Sequence, residues 1–106
     1  MNDVLKYVEE NAFDHNISQI SVADKFGISV YSLSRLFSKD IGIGFSEFII
    51  SKRIEKAKKI LETTDKSVTE TANESGMVNV NYFSRLFKEV TGETPQKYRA
   101  SKKAGG

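Results

Sequence analysis

The string Ser-Arg-Leu-Phe occurs twice in this 106-residue chain, at Ser34–Phe37 and again at Ser84–Phe87. A glycine precedes each copy by seven or eight residues, Gly27 in the first case and Gly76 in the second, and an alanine stands four residues before each glycine. A short helix, a tight glycine turn and a second helix account for this pattern. The sequence therefore predicts that one chain contains the same helix–turn–helix twice, with one extra residue in the second copy.

The composition favours an all-α fold, because the chain has one proline, no tryptophan and helix-type spacing of its apolar residues throughout. No apolar run approaches the ~20 residues that a membrane-spanning helix needs, and the first residues do not resemble a signal peptide. Because there is no cysteine, disulfides and thiolate metal sites are excluded. This composition fits a cytoplasmic protein.

Helix-capping signals predict where the helices begin. Ser21 starts a sequence like a capping box, Ser67 and Glu70 form a full one, and Ser29 and Asn79 are good N-caps for the second helix of each repeat. Pro95 suits the first turn of a last helix. Four glycines are predicted at helix ends in the left-handed conformation: Gly27, Gly42, Gly76 and Gly92. Seven helices result, at about 3–12, 21–26, 30–40, 45–62, 68–75, 80–91 and 95–101.

The helix predicted over 45–62 changes its apolar face along its length. At about 100° per residue, two groups of apolar residues point in different directions. The first group is Phe45, Phe48 and Ile49, and the second is Ile50, Ile54, Ala57 and Leu61. This helix is therefore predicted to link two lobes and to pack against both. Lobe one spans about 3–44 and lobe two about 63–101.

Helical spacing divides the second helix of each repeat into an inward and an outward face. The predicted inward residues are Leu33, Leu36 and Phe37 in the first, and Phe83, Leu86, Phe87 and Val90 in the second. The predicted outward residues are Tyr31, Ser34, Arg35 and Ser38 in the first, and Asn81, Ser84, Arg85 and Lys88 in the second. The two outward sets match position for position, which a merely solvated surface would not require.

The chemistry of the outward residues suits the reading of base pairs. An arginine can bond O6 and N7 of guanine together, and an asparagine can do the same with N6 and N7 of adenine. Tyr31 offers an apolar ring for a thymine methyl group. Ser38, Lys39 and Lys88, with Lys52 and Lys56 on the linker, can bond phosphates. For the linker lysines, including Lys59, a solvated face is the competing interpretation.

The charge distribution agrees with a polyanionic partner. The overall net charge is +2, but residues 1–28 carry −3, residues 29–59 carry +4 and residues 60–106 carry +1. Positive charge is therefore concentrated around the second helix of the first repeat and the segment that follows it.

No catalytic or cofactor-binding pattern is recognisable. The single histidine, His15, lies in a polar stretch without a nucleophile or metal-ligand spacing around it. There is no glycine-rich phosphate loop. The sequence thus predicts a protein that is not an enzyme and needs no cofactor or metal.

Over residues 4–99 the sequence resembles the DNA-binding domain of the AraC/XylS family of bacterial transcription regulators. The most specific segments are Tyr82–Lys88, Thr91-Gly92 and the Thr94-Pro95-x-x-Tyr98-Arg99 motif, and Arg53–Leu61 is similar to the linker helix of the family. The resemblance implies seven helices in two helix-turn-helix lobes. It also implies binding of double-stranded DNA through two adjacent major grooves, usually to activate transcription, with RNA polymerase as a further candidate partner.

Members of the family typically carry a separate sensing or dimerisation domain, so the chain is expected to be a part of a longer regulator, with a single-domain member of the family as the alternative. The base-contacting positions of the family fall on Tyr31, Ser34 and Arg35 in the first repeat. In the second repeat they fall on Val80, Asn81, Ser84 and Arg85. Of these seven residues, Val80 is implied by the resemblance alone.

The second repeat departs from the family pattern at three places. Met77 stands where an aromatic residue is usual, Thr71 replaces a large aliphatic residue, and Val78-Asn79-Val80 replaces a polar turn. These changes are expected to loosen the second lobe. They also motivate an alternative, a protein-interaction module that keeps the fold without specific DNA binding. An RNA-binding domain is a weaker alternative, because Tyr31 is the only outward aromatic residue in the predicted faces.

Overall fold

The computed structural model describes the backbone of residues 2–105 and the side chains of residues 3–102. Within that range the chain forms seven α-helices and no strand, which confirms the all-α prediction. The helices are α1 (Asn2–Asn11), α2 (Gln19–Phe26), α3 (Val30–Leu36), α4 (Phe45–Thr63), α5 (Val68–Glu74), α6 (Val80–Thr91) and α7 (Pro95–Gly105). Two compact units, Met1–Lys52 and Arg53–Gly106, divide the chain within α4.

The first unit has a continuous apolar core to which α1, α2, α3 and the start of α4 contribute. Phe37 is fully buried, and its ring centroid lies 5.4 Å from those of both Phe45 and Phe48. These edge-on contacts join the segment after α3 to the first turn of α4. All three residues of the predicted first apolar group of α4, Phe45, Phe48 and Ile49, thus lie in the core of this unit.

Helix α2 begins two residues earlier than the predicted 21–26, and Ser21 is not its N-cap. Ser18 is the N-cap, and its Oγ accepts a hydrogen bond from the Ser21 backbone at 3.1 Å. The Ser21 hydroxyl in turn accepts one from the Ser18 backbone at 3.1 Å, which completes a capping box. Two serines three residues apart can each cap a helix, and reciprocal bonding favours the earlier one.

The turn after α2 is closed by Gly27, whose φ of 65° is left-handed. The Ile28 N–H then reaches back to the Ala23 carbonyl at 3.0 Å. In the second unit the Met77 N–H makes the equivalent bond to the Ala72 carbonyl at 2.8 Å. The two turns therefore close in the same way before α3 and α6 begin.

The extra residue of the second repeat lies inside its turn. Ser29 directly follows Ile28 as the N-cap of α3, whereas Val78 separates Met77 from the N-cap Asn79. The side chain of Val78 is 67% exposed, and the hydrogen bond between Met77 and Ala72 is still formed. The turn therefore accommodates the inserted residue at its surface.

Two of the three departures from the family pattern, Thr71 and Met77, lie in the interior of the second unit. Both residues are buried, and the Thr71 hydroxyl donates to the Ser67 carbonyl at 2.8 Å. A buried hydroxyl that is bonded to the preceding turn costs little. The expectation that these two residues loosen the second lobe stays a prediction.

Helix α7 is attached to the end of α4 by polar contacts. The Tyr98 hydroxyl donates a hydrogen bond to the Glu62 carboxylate. The Arg99 guanidinium donates to the carbonyls of Leu61 and Thr64, at 3.1 Å each. The last carbonyls of a helix have no partner within it, so Arg99 satisfies two groups at the end of α4.

Replacing Tyr98 by phenylalanine should change how stability depends on pH. Burial, the hydrogen bond to Glu62 and the negative charges of Glu62 and Glu93 raise the pKa of Tyr98 to about 12. A free tyrosine titrates near 10. The folded protein therefore keeps this proton more firmly than the unfolded chain does. The resulting stability is complete below pH 10 and disappears as the pH rises toward 12.

We expect Tyr98→Phe to lower the free energy of unfolding by about 1–2 kcal/mol at pH 7. The gap between the two proteins should narrow between about pH 10 and pH 12. Urea unfolding at several pH values measures both effects. Lysines titrate in the same pH range, but their contribution to the free energy of unfolding is the same in both proteins and drops out of the difference. A gap that stays constant up to pH 12 would show that Tyr98 has no linkage to folding.

Candidate nucleic-acid interface

In the first unit, α3 holds Tyr31, Ser34 and Arg35 on its outward side because its opposite face is fixed in the core. Leu33 and Phe37 are fully buried. At the start of the helix, the Ser29 Oγ accepts a hydrogen bond from the Ser32 backbone at 3.0 Å. Capping and burial together leave the outward face only one orientation relative to this unit.

Tyr31 and Arg35 lie together on that outward face. The Tyr31 ring is 69% exposed, Arg35 is also exposed, and the guanidinium carbon lies 5.8 Å from the ring centroid. Ser34 is half-buried between this pair and the core-facing side of the helix. Two of the three predicted base-contacting residues of this repeat are thus exposed, and the third is half-buried.

Helix α6 repeats this arrangement in the second unit. Phe83 and Phe87 are fully buried, and the Asn79 side chain caps the helix by accepting from the Tyr82 backbone at 3.0 Å. Asn81 and Arg85 are exposed, as predicted. Among the other predicted contacts, Val80 and Ser84 are half-buried.

The predictions of the two faces missed two residues of α6. Val90 was expected in the core, yet it is 54% exposed. Asp40 holds the corresponding place in the first repeat and is exposed too, so this position tolerates a charge. Tyr82 was not assigned to the outward face, yet it is 44% exposed and its ring centroid lies 5.7 Å from the Arg85 guanidinium carbon. The spacing of three residues between Tyr82 and Arg85 could have indicated this, because side chains three residues apart are neighbours on a helix surface.

The end of the first outward helix is not the regular α-helix predicted over 30–40. After Leu36 the chain continues as a π-helical turn, Phe37–Ile41, which the Gly42 N–H closes by bonding to the Phe37 carbonyl at 2.9 Å. In α6 the corresponding Gly92 N–H bonds to the Lys88 carbonyl at 2.8 Å, in the ordinary α pattern. The exposed Ser38 and Lys39 lie on the π-helical turn and therefore follow a different pitch from Lys88.

The predicted phosphate contacts differ in how free their side chains are. Ser38, Lys39 and Lys88 are exposed. Lys52 is half-buried, and its ammonium lies 5.5 Å from the centroid of the Phe48 ring. Lys56 is half-buried as well. The two linker lysines are therefore less available to a ligand than the three residues next to the outward helices.

Two other kinds of function, metal binding and membrane insertion, find no site among the described residues. Within the side chains that the structure describes, no group of three or more His, Cys, Asp or Glu residues could hold a metal ion. No helix in that part of the chain is both long and apolar enough to cross a membrane. The outward faces of α3 and α6, with their exposed arginines, form the candidate interface.

Comparison with known proteins gives a consistent result. A family model described as a helix-turn-helix domain matches residues 22–101. An uncharacterised helix-turn-helix transcriptional regulator of Staphylococcus aureus is 35% identical over 104 residues, which are 98% of this chain and 14% of the relative. The chain therefore spans about one seventh of the length of that relative. The family and its relatives are transcriptional regulators and not enzymes.

Two solved structures have closely similar folds. One is the C-terminal domain of the two-component response regulator yesN from Fusobacterium nucleatum, with a TM-score of 0.89 and 35% identity over 92% of this chain and 95% of that one. The other is the DNA-binding domain of the global transcriptional factor AdpA in complex with a target DNA. Its TM-score is 0.90, with 25% identity, and the match covers 97% of this chain and 92% of that domain.

Proposed function

Because the chain belongs to the AraC-type helix-turn-helix family of DNA-binding transcription regulators, we propose that it recognises one specific operator and activates transcription from it. In this proposal α3 and α6 enter successive major grooves of the same duplex. Residues 3–44 act as one reading lobe, residues 63–101 as the other, and helix 45–62 as the linker.

The observation that carries this proposal is the outward face that occurs twice. In each unit a capped helix presents an exposed arginine, at equivalent positions 35 and 85, beside an exposed tyrosine ring. Solvated helix surfaces have no reason to repeat such a pair. The AdpA domain, which resembles this chain across nearly its whole length, was solved with its target DNA and supports the same partner here.

Each proposed base contact follows from the chemistry of its side chain. Arg35 and Arg85 each bond O6 and N7 of a guanine, and Asn81 bonds N6 and N7 of an adenine. The ring of Tyr31 contacts a thymine methyl group, and Val80 makes apolar contact only. Ser34 and Ser84 reach a base edge if the helix lies deep in the groove, because both are half-buried.

The proposed phosphate contacts fix the register of the protein on the duplex without reading sequence. Lys39 and Lys88 supply positive charge, and Ser38 supplies a hydroxyl donor. Lys52 and Lys56 belong to the same proposal as weaker contributors, because their side chains are half-buried.

The regulatory role is proposed from the family. Its members usually activate transcription near a promoter, so RNA polymerase is the second partner in this proposal and the cytoplasm is the place of action. The much greater length of the Staphylococcus relative supports a further element, a sensing or dimerisation domain that works together with this one.

The dependence of DNA affinity on salt tests the proposal against a protein-interaction module with the same fold. Fluorescence anisotropy with a labelled duplex pool should give a log–log slope of about −0.9 for each phosphate that is neutralised. Replacing Lys88 by glutamine should reduce the magnitude of this slope by about one and weaken binding equally on all sequences.

Lys97→Gln is the matched control, because Lys97 is an exposed lysine of the same unit and lies outside the proposed contact set. It should leave the slope unchanged. A wild-type affinity that is nearly independent of salt would contradict the DNA-binding function. A steep wild-type slope that Lys88→Gln does not alter would remove only the role of Lys88.

A further inference from the structure

Both units place a tyrosine ring against the arginine of the outward helix. The distance from guanidinium carbon to ring centroid is 5.8 Å for Arg35 and Tyr31, and 5.7 Å for Arg85 and Tyr82. Both distances are within the ~6 Å over which a cation is attracted to an aromatic face. All four side chains are exposed, so none of these contacts is imposed by burial in the core.

The rings come from positions that are not equivalent in the two repeats. Tyr31 lies four residues before Arg35, whereas Tyr82 lies three residues before Arg85. The residue that corresponds to Tyr31 is Asn81, and the residue that corresponds to Tyr82 is Ser32. A ring that served only the repeated fold would keep its place in the repeat. The pairing with arginine is what the two units share.

The change of position moves the ring to the other flank of the arginine. At 100° per residue, a residue four places earlier lies about 40° to one side of the arginine, and a residue three places earlier lies about 60° to the other. In the second unit the exposed Asn81 lies four residues before Arg85, on the side that Tyr31 takes beside Arg35. In the first unit the opposite flank is occupied by Ser32, whose Oγ accepts a hydrogen bond from the Ser29 hydroxyl at 3.0 Å.

We infer that Tyr82 is a specificity-determining residue that acts through Arg85, and this inference rests on the proposed base contact of that arginine. The ring holds the flat guanidinium in one plane before DNA arrives. Less side-chain freedom is then lost when the two parallel bonds to guanine form. The ring also leaves the other flank of Arg85 to Asn81, so that an arginine and an asparagine can read neighbouring bases.

The test compares three variants on duplexes that carry each of the four base pairs at the position read by Arg85. Tyr82→Leu should reduce the preference for the best base pair about two- to fivefold, with an unchanged salt slope. Tyr82→Phe should keep the wild-type preference, because the ring remains. Arg85→Ala should abolish the preference and serves as the reference. Thermal unfolding checks that all three variants are folded.

A fourth variant moves the ring without removing it. Combining Asn81→Tyr with Tyr82→Ser gives the second unit the ring position of the first, four residues before the arginine. This double variant should keep the preference at the base pair of Arg85 and lose the preference at the base pair assigned to Asn81. If it behaves as Tyr82→Leu does at the first of these base pairs, the ring is not what holds the guanidinium, and the inference is wrong.

The outcomes separate this inference from the proposed function. If Arg85→Ala abolishes the preference and Tyr82→Leu does not change it, the inference fails while the base contact of Arg85 stands. If Arg85→Ala leaves every preference intact, both fail. If Tyr82→Phe loses the preference as Tyr82→Leu does, the tyrosine hydroxyl and not the ring is responsible, and the positioning role is overturned.

Discussion

Replacing Phe87 by alanine should lower the free energy of unfolding by about 3–5 kcal/mol. The side chain is fully buried, and its ring centroid lies 5.8 Å from that of Phe83 and 5.3 Å from that of Tyr98. The substitution removes most of the ring and leaves a cavity where α6 and α7 meet. A domain of this size has a total stability of only about 5–15 kcal/mol, so the variant should lose much of it.

Urea unfolding followed by circular dichroism measures this effect. Val90→Ala is the matched control, because it truncates an apolar side chain of the same helix that is 54% exposed. Surface changes of that kind usually alter stability by less than about 0.5 kcal/mol. Phe37→Ala should be as costly as Phe87→Ala, since Phe37 is fully buried at the equivalent position. If Val90→Ala lowers the free energy of unfolding as much as Phe87→Ala does, the description of Phe87 as buried and of Val90 as exposed on α6 is wrong.

The second large effect concerns the two arginines. Arg35→Ala and Arg85→Ala should each weaken binding to the preferred duplex by about 1–3 kcal/mol, and each should relax the preference at one base pair. The reason is that each guanidinium is proposed to bond two acceptors of one guanine. The two variants should affect different base pairs, because the arginines lie on different helices.

Competition binding against duplexes with single base changes measures both the affinity and the preference. Arg35→Lys and Arg85→Lys are informative controls, because lysine keeps the charge and lacks the planar fork. They should retain affinity for unrelated sequences and lose the preference for guanine. An alanine variant that loses the same affinity on every sequence would show instead that its arginine contacts only phosphate.

Signals that act within a few residues predicted the helices of this chain well. The capping box of Ser67 and Glu70 and the caps at Ser29 and Asn79 are all present in the structure. The left-handed glycines, such as Gly27 and Gly92, also end their helices as predicted. Such signals are reliable because a cap satisfies backbone groups that the helix itself leaves free.

The errors arose where two local solutions were equally good or where the helix period alone was used. Ser18 and Ser21 are both suitable caps, and comparison with the second repeat would have favoured Ser18, because Ser67 lies 49 residues later in the same context. Val90 was assigned inward by angle, although the last turn of a helix need not be covered by the core. Comparison of the repeats was the stronger signal in both cases.

Two features could not have been read from the residues. Nothing in the sequence of Phe37–Ile41 separates its π-helical turn from the regular α pattern at the end of α6. The contact of Tyr82 with Arg85 depends on the chosen side-chain conformations, which the spacing permits but does not determine. The base-contacting set stays a prediction, and the structure adds to it the contact between Tyr82 and Arg85.

Selection of bound duplexes from a randomised DNA pool at moderate salt, followed by sequencing, tests the central claim most directly. If α3 and α6 each read one major groove, the selected duplexes should contain two short motifs about one helical turn apart, roughly 10 base pairs. Arg35→Ala should degrade one motif and Arg85→Ala the other. Enrichment of no motif, or of a single motif that both variants degrade, would contradict the account.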